Sequence, residues 1–409
     1  MEITDVRVEV LEGTLTGRDP EGFYEDRLAR PVDIYDEFRQ DTAEEVYLRG
    51  ANEFGHHPYE EDGEFKVKQP FLFIDTDEGI TGMSGPIGRH WVFQTLEFRD
   101  LLVGRDPRAT QKLWDLMYRK EVHGRKGKTM MAISGIDVAL WDLRGKYYDE
   151  PVYRLLGGPT REKLPAYSSM LGFSAEPDDI RERAAEFRDR GFDHQKWFLR
   201  HGPGSGRKGK RHNIAMVRAA REGAGEDCDL MFDAWMSWDR SYALDIIPDL
   251  APYNPRWVEE PVMPDKIDQQ REIREAAPFP IAGGEHEYTR WGLHEILSRR
   301  ALDVVQPDTY WAGGITEMMN ICALGTVHDI PVIPHGHSVP ANVNLIAAQS
   351  PTTCPLVEYL FKWNEGLQFF FDEPVRPEDG TVTLPDRPGI GVAIDDSKVD
   401  SRDAVTFEF

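Results

Sequence analysis

From Lys196 onward seven strand-end positions carry acids or bases, the last six at a nearly constant interval: Lys196, Asp233, Glu259, Glu285, Asp308, His335 and Glu358. From Asp233 onward the steps are 26, 26, 23, 27 and 23 residues. Most of them close a short apolar run, as in Leu230-Met231-Phe232-Asp233 and Val332-Ile333-Pro334-His335. Carboxylates gathered in one place repel and raise one another's pKa unless a cation neutralises them. All-oxygen ligation suits a hard divalent ion, so Mg²⁺ is expected at Asp233, Glu259 and Glu285. Such an ion can hold a substrate carboxylate and stabilise the enediolate formed when the neighbouring α-proton leaves. His335 is the candidate base for that proton, and Asp308, one strand earlier, can hold its imidazole. Glu358 can hydrogen-bond the other side of the substrate. Glu260 is an alternative ligand to Glu259, because side-chain alternation lets only one of the two face the ion. Any one of these acids is as easily a helix N-cap or a surface ion pair; the periodic set is what points to a site.

A step of this length is one strand plus one helix. The apolar runs lie at 195–199, 230–234, 256–260, 281–285, 304–308, 332–335 and 356–359, with helical texture between them. So many repeated units predict parallel strands closed into a barrel, whose active site lies at the C-terminal strand ends. Ahead of the barrel, residues 3–10 alternate as a strand, and 70–75 with 80–82 read as a strand pair turned by Asp77-Glu78-Gly79. Residues 13–64 are polar and too long for a simple connection, so a functional lid is expected there. Residues 131–148 read as an amphipathic helix with Ile133, Ile136, Leu140, Leu143 and Tyr147 on one stripe. The tail from about 366 returns to turn-rich β sequence at 380–384 and 389–392. The expected division is an α+β capping domain at 1–130, the barrel at 131–365 and a tail at 366–409 that returns to the cap.

The 409 residues hold enough hydrophobic (40%) and aromatic (11%) side chains for ordinary cores, which excludes a disordered chain. A formal net charge of −24 disfavours nucleic acid and anionic lipid as partners. The same excess, with Arg well outnumbering Lys, is expected of a salt-adapted protein. No apolar run is long enough for a membrane span, and the opening residues lack a leader pattern, so the cytoplasm is the expected compartment. The three cysteines, Cys228, Cys322 and Cys354, have no CxxC spacing and argue against a disulfide framework.

Beyond this pattern, specific stretches resemble a known family. They include Ile136-Asp137-Val138-Ala139-Leu140-Trp141-Asp142-Leu143-Arg144-Gly145-Lys146 and Pro151-Val152-Tyr153-Arg154-Leu155-Leu156-Gly157-Gly158. To these add Glu259-Glu260-Pro261, Gly284-Glu285-His286, Gln306-Pro307-Asp308, Gly313-Gly314-Ile315-Thr316 and Pro334-His335-Gly336. Over nearly its whole length the chain resembles the enolase superfamily, mandelate racemase subgroup, and within it the L-rhamnonate dehydratase-like acid-sugar dehydratases. Trp235-Met236-Ser237 and Gly336-His337-Ser338 carry the latter likeness. The resemblance implies a modified (β/α)₇β barrel with an α+β cap, a Mg²⁺ site, a His-Asp dyad and a lid that shapes specificity. Many members carry Lys-x-Lys on the second barrel strand. Here Lys196 matches the first Lys and Phe198 replaces the second, which argues against a two-base racemase; Lys196 can still polarise the substrate carboxylate.

Several motifs stop short. Gly204-Ser205-Gly206-Arg207-Lys208-Gly209-Lys210 resembles a phosphate loop, but Arg211 stands where Ser or Thr is needed. His286-Glu287 begins a zinc-protease motif that Arg290 ends. His286 and, in the lid, His57 remain candidate substrate contacts. The expected partners are a small sugar acid and further copies of the chain. A one-base epimerase and a non-catalytic sugar-acid-binding scaffold are the alternative readings.

Overall fold

The alternation of the first segment becomes β1 (Ile3–Thr14), whose Ile3, Val6, Val8 and Leu11 are buried. The structure is a computed structural model, and it describes residues 1–18, 22–47, 59–61 and 64–406. β1 pairs antiparallel with β3 (Glu64–Thr76), which pairs in turn with β2 (Tyr59–Glu61) and β4 (Thr81–Ser84). Gly79, at φ +77°, supplies the left-handed residue of the turn into β4.

The helix Lys128–Tyr148 departs from the predicted stripe. Every residue from Ala132 to Leu143 is buried, whereas Tyr147 is only half-buried. The cause is its position between layers. Gly82 of β4 lies so close that a Cβ there would come within 2.3 Å of Ala139 O. On the barrel side, Trp141 Nε1 donates to Thr316 Oγ1 at 2.8 Å and Asp137 Oδ2 accepts from Thr316 N at 2.8 Å. The expected domain boundary after residue 130 falls inside this helix.

The barrel strands are β5 (Lys163–Ser169), β6 (His194–Phe198), β7 (Asp229–Asp233), β8 (Trp257–Glu259), β9 (Ile281–Gly283), β10 (Val304–Val305) and β11 (Val357–Leu360). All pair parallel in the order β10-β9-β8-β7-β6-β5-β11. One further stave, the predicted run at 332–335, is reduced to a bridge between Val332 and Val305. Seven helices, from Pro177–Asp189 to Val339–Ala347, fill the intervals, giving the (β/α)₇β architecture. β5 is absent from the predicted runs, since Pro165, Ser168 and Ser169 break its apolar character. In the tail, β12 (Thr381–Thr383) pairs with β5 of the barrel, and β13 (Ser401–Ala404) pairs with β1 of the cap. Residues 389–392, expected as β, contribute only a bridge between Gly389 and Pro151. Among the described residues no helix is long and apolar enough to cross a membrane.

Period-two alternation along the staves sets up the site. Tyr167, Met231, Trp257, Val304, Ile333 and Leu356, with Ala282, form one buried apolar layer inside the barrel. Two residues further along the same strands stand Ser169, Asp233, Glu259, Gln306, His335 and Glu358, all buried. An apolar plug therefore supports a polar layer at the C-terminal strand ends.

Candidate active site at the mouth of the barrel

The lower tier centres on Lys196. In register, Asp233 lies beside Glu259 and Phe198 beside Asp233. Lys196 Nζ meets Glu259 Oε1 at 2.7 Å, Glu358 Oε1 at 2.8 Å and Asp233 Oδ2 at 3.3 Å. Burial pulls the lysine's pKa down, but Glu259, Glu358 and Asp233 more than reverse this and hold it well above its usual value. Its ammonium is hydrogen-bonded to Glu259 and ion-paired with Glu358 and Asp233. Burial favours the neutral form of Glu358 as well, and Lys196 and His335 outweigh it, bringing that carboxyl to about 2. Glu358 Oε2 also accepts from Gly336 N at 2.8 Å. Phe198, two residues along β6, puts its ring 5.2 Å from Nζ.

The upper tier carries the histidines. His335 Nδ1 lies 2.7 Å from Asp308 Oδ2, whose other oxygen accepts from Tyr310 N at 2.7 Å. His335 Nε2 is 3.5 Å from Glu285 Oε2. Burial lowers the imidazole's pKa, yet Glu285 and the hydrogen bond to Asp308 carry it up to about 10. Glu285 Oε1 accepts from Trp235 Nε1 at 3.2 Å. His286 Nδ1 lies 3.0 and 3.2 Å from the two oxygens of Glu260. The Trp311 ring lies 5.2 Å from that of His335, 5.7 Å from that of His286 and 5.6 Å from that of His337.

The expectation that only one of Glu259 and Glu260 turns inward is corrected here. Both are buried. Glu260 follows the end of β8 with φ +42°, a left-handed turn that cancels the alternation. Trp235 and Met236, at φ +41° and +61°, turn alongside it, and Met236 N donates to Glu260 O at 2.6 Å. Such conformations in non-glycine residues concentrate at functional sites. The predicted ligand set is accordingly divided. Glu259 is held by Lys196, by Trp257 Nε1 at 3.0 Å and by Gln306 Nε2 at 2.8 Å. Among the described residues, the acid-rich group whose ligand atoms all lie within 4.8 Å of one another is Glu260, Glu285 and His286. Glu260 as partner of His286, and Gln306 as donor to Glu259, are contacts that spacing alone does not assign. The Glu259-Glu260 and Gln306-Pro307-Asp308 sequences were their only signal.

The donor set fits a hard cation. Burial, with Glu259 alongside, drives the carboxyl of Asp233 well above its usual pKa, and burial raises that of Glu285. Negative charge thus exceeds what Lys196 neutralises, and oxygen atoms predominate.

The described part of the segment expected as a lid packs on the Phe198 side. Tyr24, Leu28, Ala43 and Tyr47 pack with Leu171, Leu360, Trp363 and Leu367, with Phe198 and Trp235 against the cluster. Ala29 N donates to Leu199 O at 2.9 Å, and Lys362 Nζ meets Glu25 Oε1 at 3.0 Å. Arg27, buried, binds Asp33 Oδ2 at 2.7 Å and the carbonyls of Leu28, Phe38 and Asp41. His57 lies outside the described residues.

Two family models match the chain. "Mandelate racemase / muconate lactonizing enzyme, N-terminal domain" covers residues 56–157, and "Enolase C-terminal domain-like" covers 179–398. An L-rhamnonate dehydratase from Saccharopolyspora erythraea is 36% identical over 78% of this chain and 82% of its own length. A D-galactarolactone cycloisomerase from Agrobacterium fabrum is 32% identical over 81% of this chain and 89% of its own. The crystal structure of rhamnonate dehydratase from Gibberella zeae complexed with Mg superposes with a TM-score of 0.81 at 30% identity, covering 97% of this chain and 95% of that one. The chain belongs to the enolase superfamily, mandelate racemase subgroup, and is rhamnonate dehydratase-like within it.

Proposed function

We propose that the chain is a Mg²⁺-dependent acid-sugar dehydratase that converts an L-rhamnonate-like aldonate to a 2-keto-3-deoxy acid. Asp233, Glu259 and Glu285 would hold the ion; Glu259 Oε1 keeps a lone pair beyond its bond to Lys196. When bound, Mg²⁺ supplies Lewis-acid stabilisation to the substrate carboxylate and withdraws the charge of Glu285 from His335. His335 Nε2, its Nδ1 engaged by Asp308, takes the α-proton. Hydroxide leaves poorly, so the departing 3-hydroxyl needs a proton, and the new imidazolium of His335 is on the same face to donate it. One residue serving both steps makes the elimination syn. Glu358 would hydrogen-bond the other side of the substrate, and His286, aligned by Glu260, its hydroxyls. The aromatic wall of Phe198 and Trp235, backed by the lid, suits a sugar acid whose far end lacks a hydroxyl.

The observation that carries this reading is the contrast between the His335–Asp308 contact at 2.7 Å and the opposite face, where Phe198 stands in place of a base. Screening aldonic and aldaric acids with semicarbazide detection of the keto product tests it. One or more deoxy or aldonic substrates should turn over, with activity lost on chelation and restored by Mg²⁺, and lost in Glu259→Gln. Epimerised acids without keto product would favour the one-base epimerase, and full activity after exhaustive chelation would remove the metal from the account.

A further inference from the structure

Away from the site, two of the three cysteines meet. Cys322, on the helix Gly314–His328, and Cys354, in the turn that feeds β11, bring their Sγ atoms to 3.6 Å, and both are fully buried. Their sequence spacing gives no hint of this. Neighbouring contacts hold the approach. Thr326, one helical turn after Cys322, hydrogen-bonds Thr353, the residue before Cys354, at 3.1 Å between hydroxyls. Positions i and i+4 share a helix face, so that face docks on two consecutive residues of the turn. The turn is pinned in its own right. Thr353 N and Cys354 N both donate to Ser350 O at 2.9 Å, Val332 N donates to Thr353 O at 2.7 Å, and Arg161 donates to Cys354 O. Cys228 lies elsewhere, against the carbonyls of Phe192 and Asp229.

We propose that Cys322 and Cys354 are a dithiol–disulfide site, oxidised by small-molecule disulfides to an intrachain bond that staples this helix to the entry of β11. In the balanced step, one cysteine thiolate attacks glutathione disulfide and releases one glutathione thiolate. The second cysteine thiolate then attacks the protein sulfur of the mixed disulfide and releases the other. Two protein thiols give up two protons and two electrons, and one glutathione disulfide becomes two glutathiones. From contact, the sulfurs must close about 1.5 Å to reach bonding distance. Because both are buried, the oxidant reaches them through local opening or during folding. The closed loop contains Val332 and His335, so the bond constrains the segment carrying the proposed base without touching it. This inference does not depend on the proposed reaction.

The test uses the full chain, treated with glutathione disulfide both as native protein and during refolding, then alkylated in denaturant and weighed. Free thiols should fall from three to one per chain, with one crosslinked peptide pair containing Cys322 and Cys354 and no mixed disulfide remaining. The thermal midpoint should rise by several degrees and return on reduction. Cys228→Ser should keep the whole response, and Cys322→Ala should lose it. Three free thiols after both treatments, a crosslink through Cys228, or a lowered midpoint in the crosslinked protein would overturn the proposal.

Discussion

On one side of the barrel mouth, beyond β10, His335 gives one ring nitrogen to Asp308 and keeps the other 3.5 Å from Glu285. On the other, at β6, Lys196 is fully buried and spends its ammonium on Glu259, Glu358 and Asp233, with Phe198 over it. In both, neighbouring carboxylates raise the pKa against the pull of burial. They differ in what remains free. The imidazole has a second nitrogen for chemistry, while the ammonium has none, and its neighbour two residues along carries no base. In the proposed reaction a side chain becomes a proton carrier only when its partner occupies one end of it. The other becomes the charge that allows Glu358 and its neighbours to remain ionised in the barrel interior.

The widest gap between the two sides should open on removing the partner of the histidine. Asp308→Asn leaves the imidazole unanchored and should lower kcat by roughly 10²–10⁴-fold if the dyad supplies most of the general-base effect, with little change in KM. Steady-state kinetics on the substrate found by screening checks this. Breaking the other side should damage the fold more than the chemistry. Lys196→Met leaves Glu259, Glu358 and Asp233 without their cation, and stability should fall by about 3–5 kcal/mol, read by denaturant unfolding. Mg²⁺ should recover part of that loss, because Asp233 and Glu259 are also two of the proposed ligands.

The smallest effect sharpens the rule at a third buried acid. Asp137, on the helix Lys128–Tyr148 against the barrel, accepts from Thr316 N, but burial outweighs that bond and the charge of Arg144 and pushes its carboxyl up to about 7. A folded pKa above the unfolded one means that the native state holds the proton longer. Its contribution is therefore most favourable below about pH 4 and is lost as pH rises to about 7. Asp137→Asn, which cannot ionise, should gain stability relative to the parent over that window, by about 2–4 kcal/mol. Thermal unfolding of the two proteins at pH 4 to 8 checks the sign.

The barrel was readable because several staves end an apolar run with a polar residue two positions beyond the plug, at Asp233, Glu259, His335 and Glu358. β5 escaped that reading, since Pro165 and two serines disguise it, although its Tyr167 joins the same apolar layer. The helix Lys128–Tyr148 was readable as a helix but not as a central one, because burial on every face depends on what tertiary packing puts around it. Glu260 shows the limit most clearly. Its inward course rests on one left-handed backbone angle, which no period of two encodes. The proximity of Cys322 and Cys354 depends likewise on how a helix docks on a distant turn.

The central claim is that proton chemistry belongs to the His335 face alone. Its most direct test is solvent-deuterium exchange at the α-carbon of the substrate, followed by NMR in D₂O for the parent and for His335→Asn, with Mg²⁺ present. The account predicts that the variant loses both dehydration and exchange while still binding substrate. Deuterium still entering the α-position in His335→Asn would contradict it and establish a second base, for which Lys196 would be the first residue to examine.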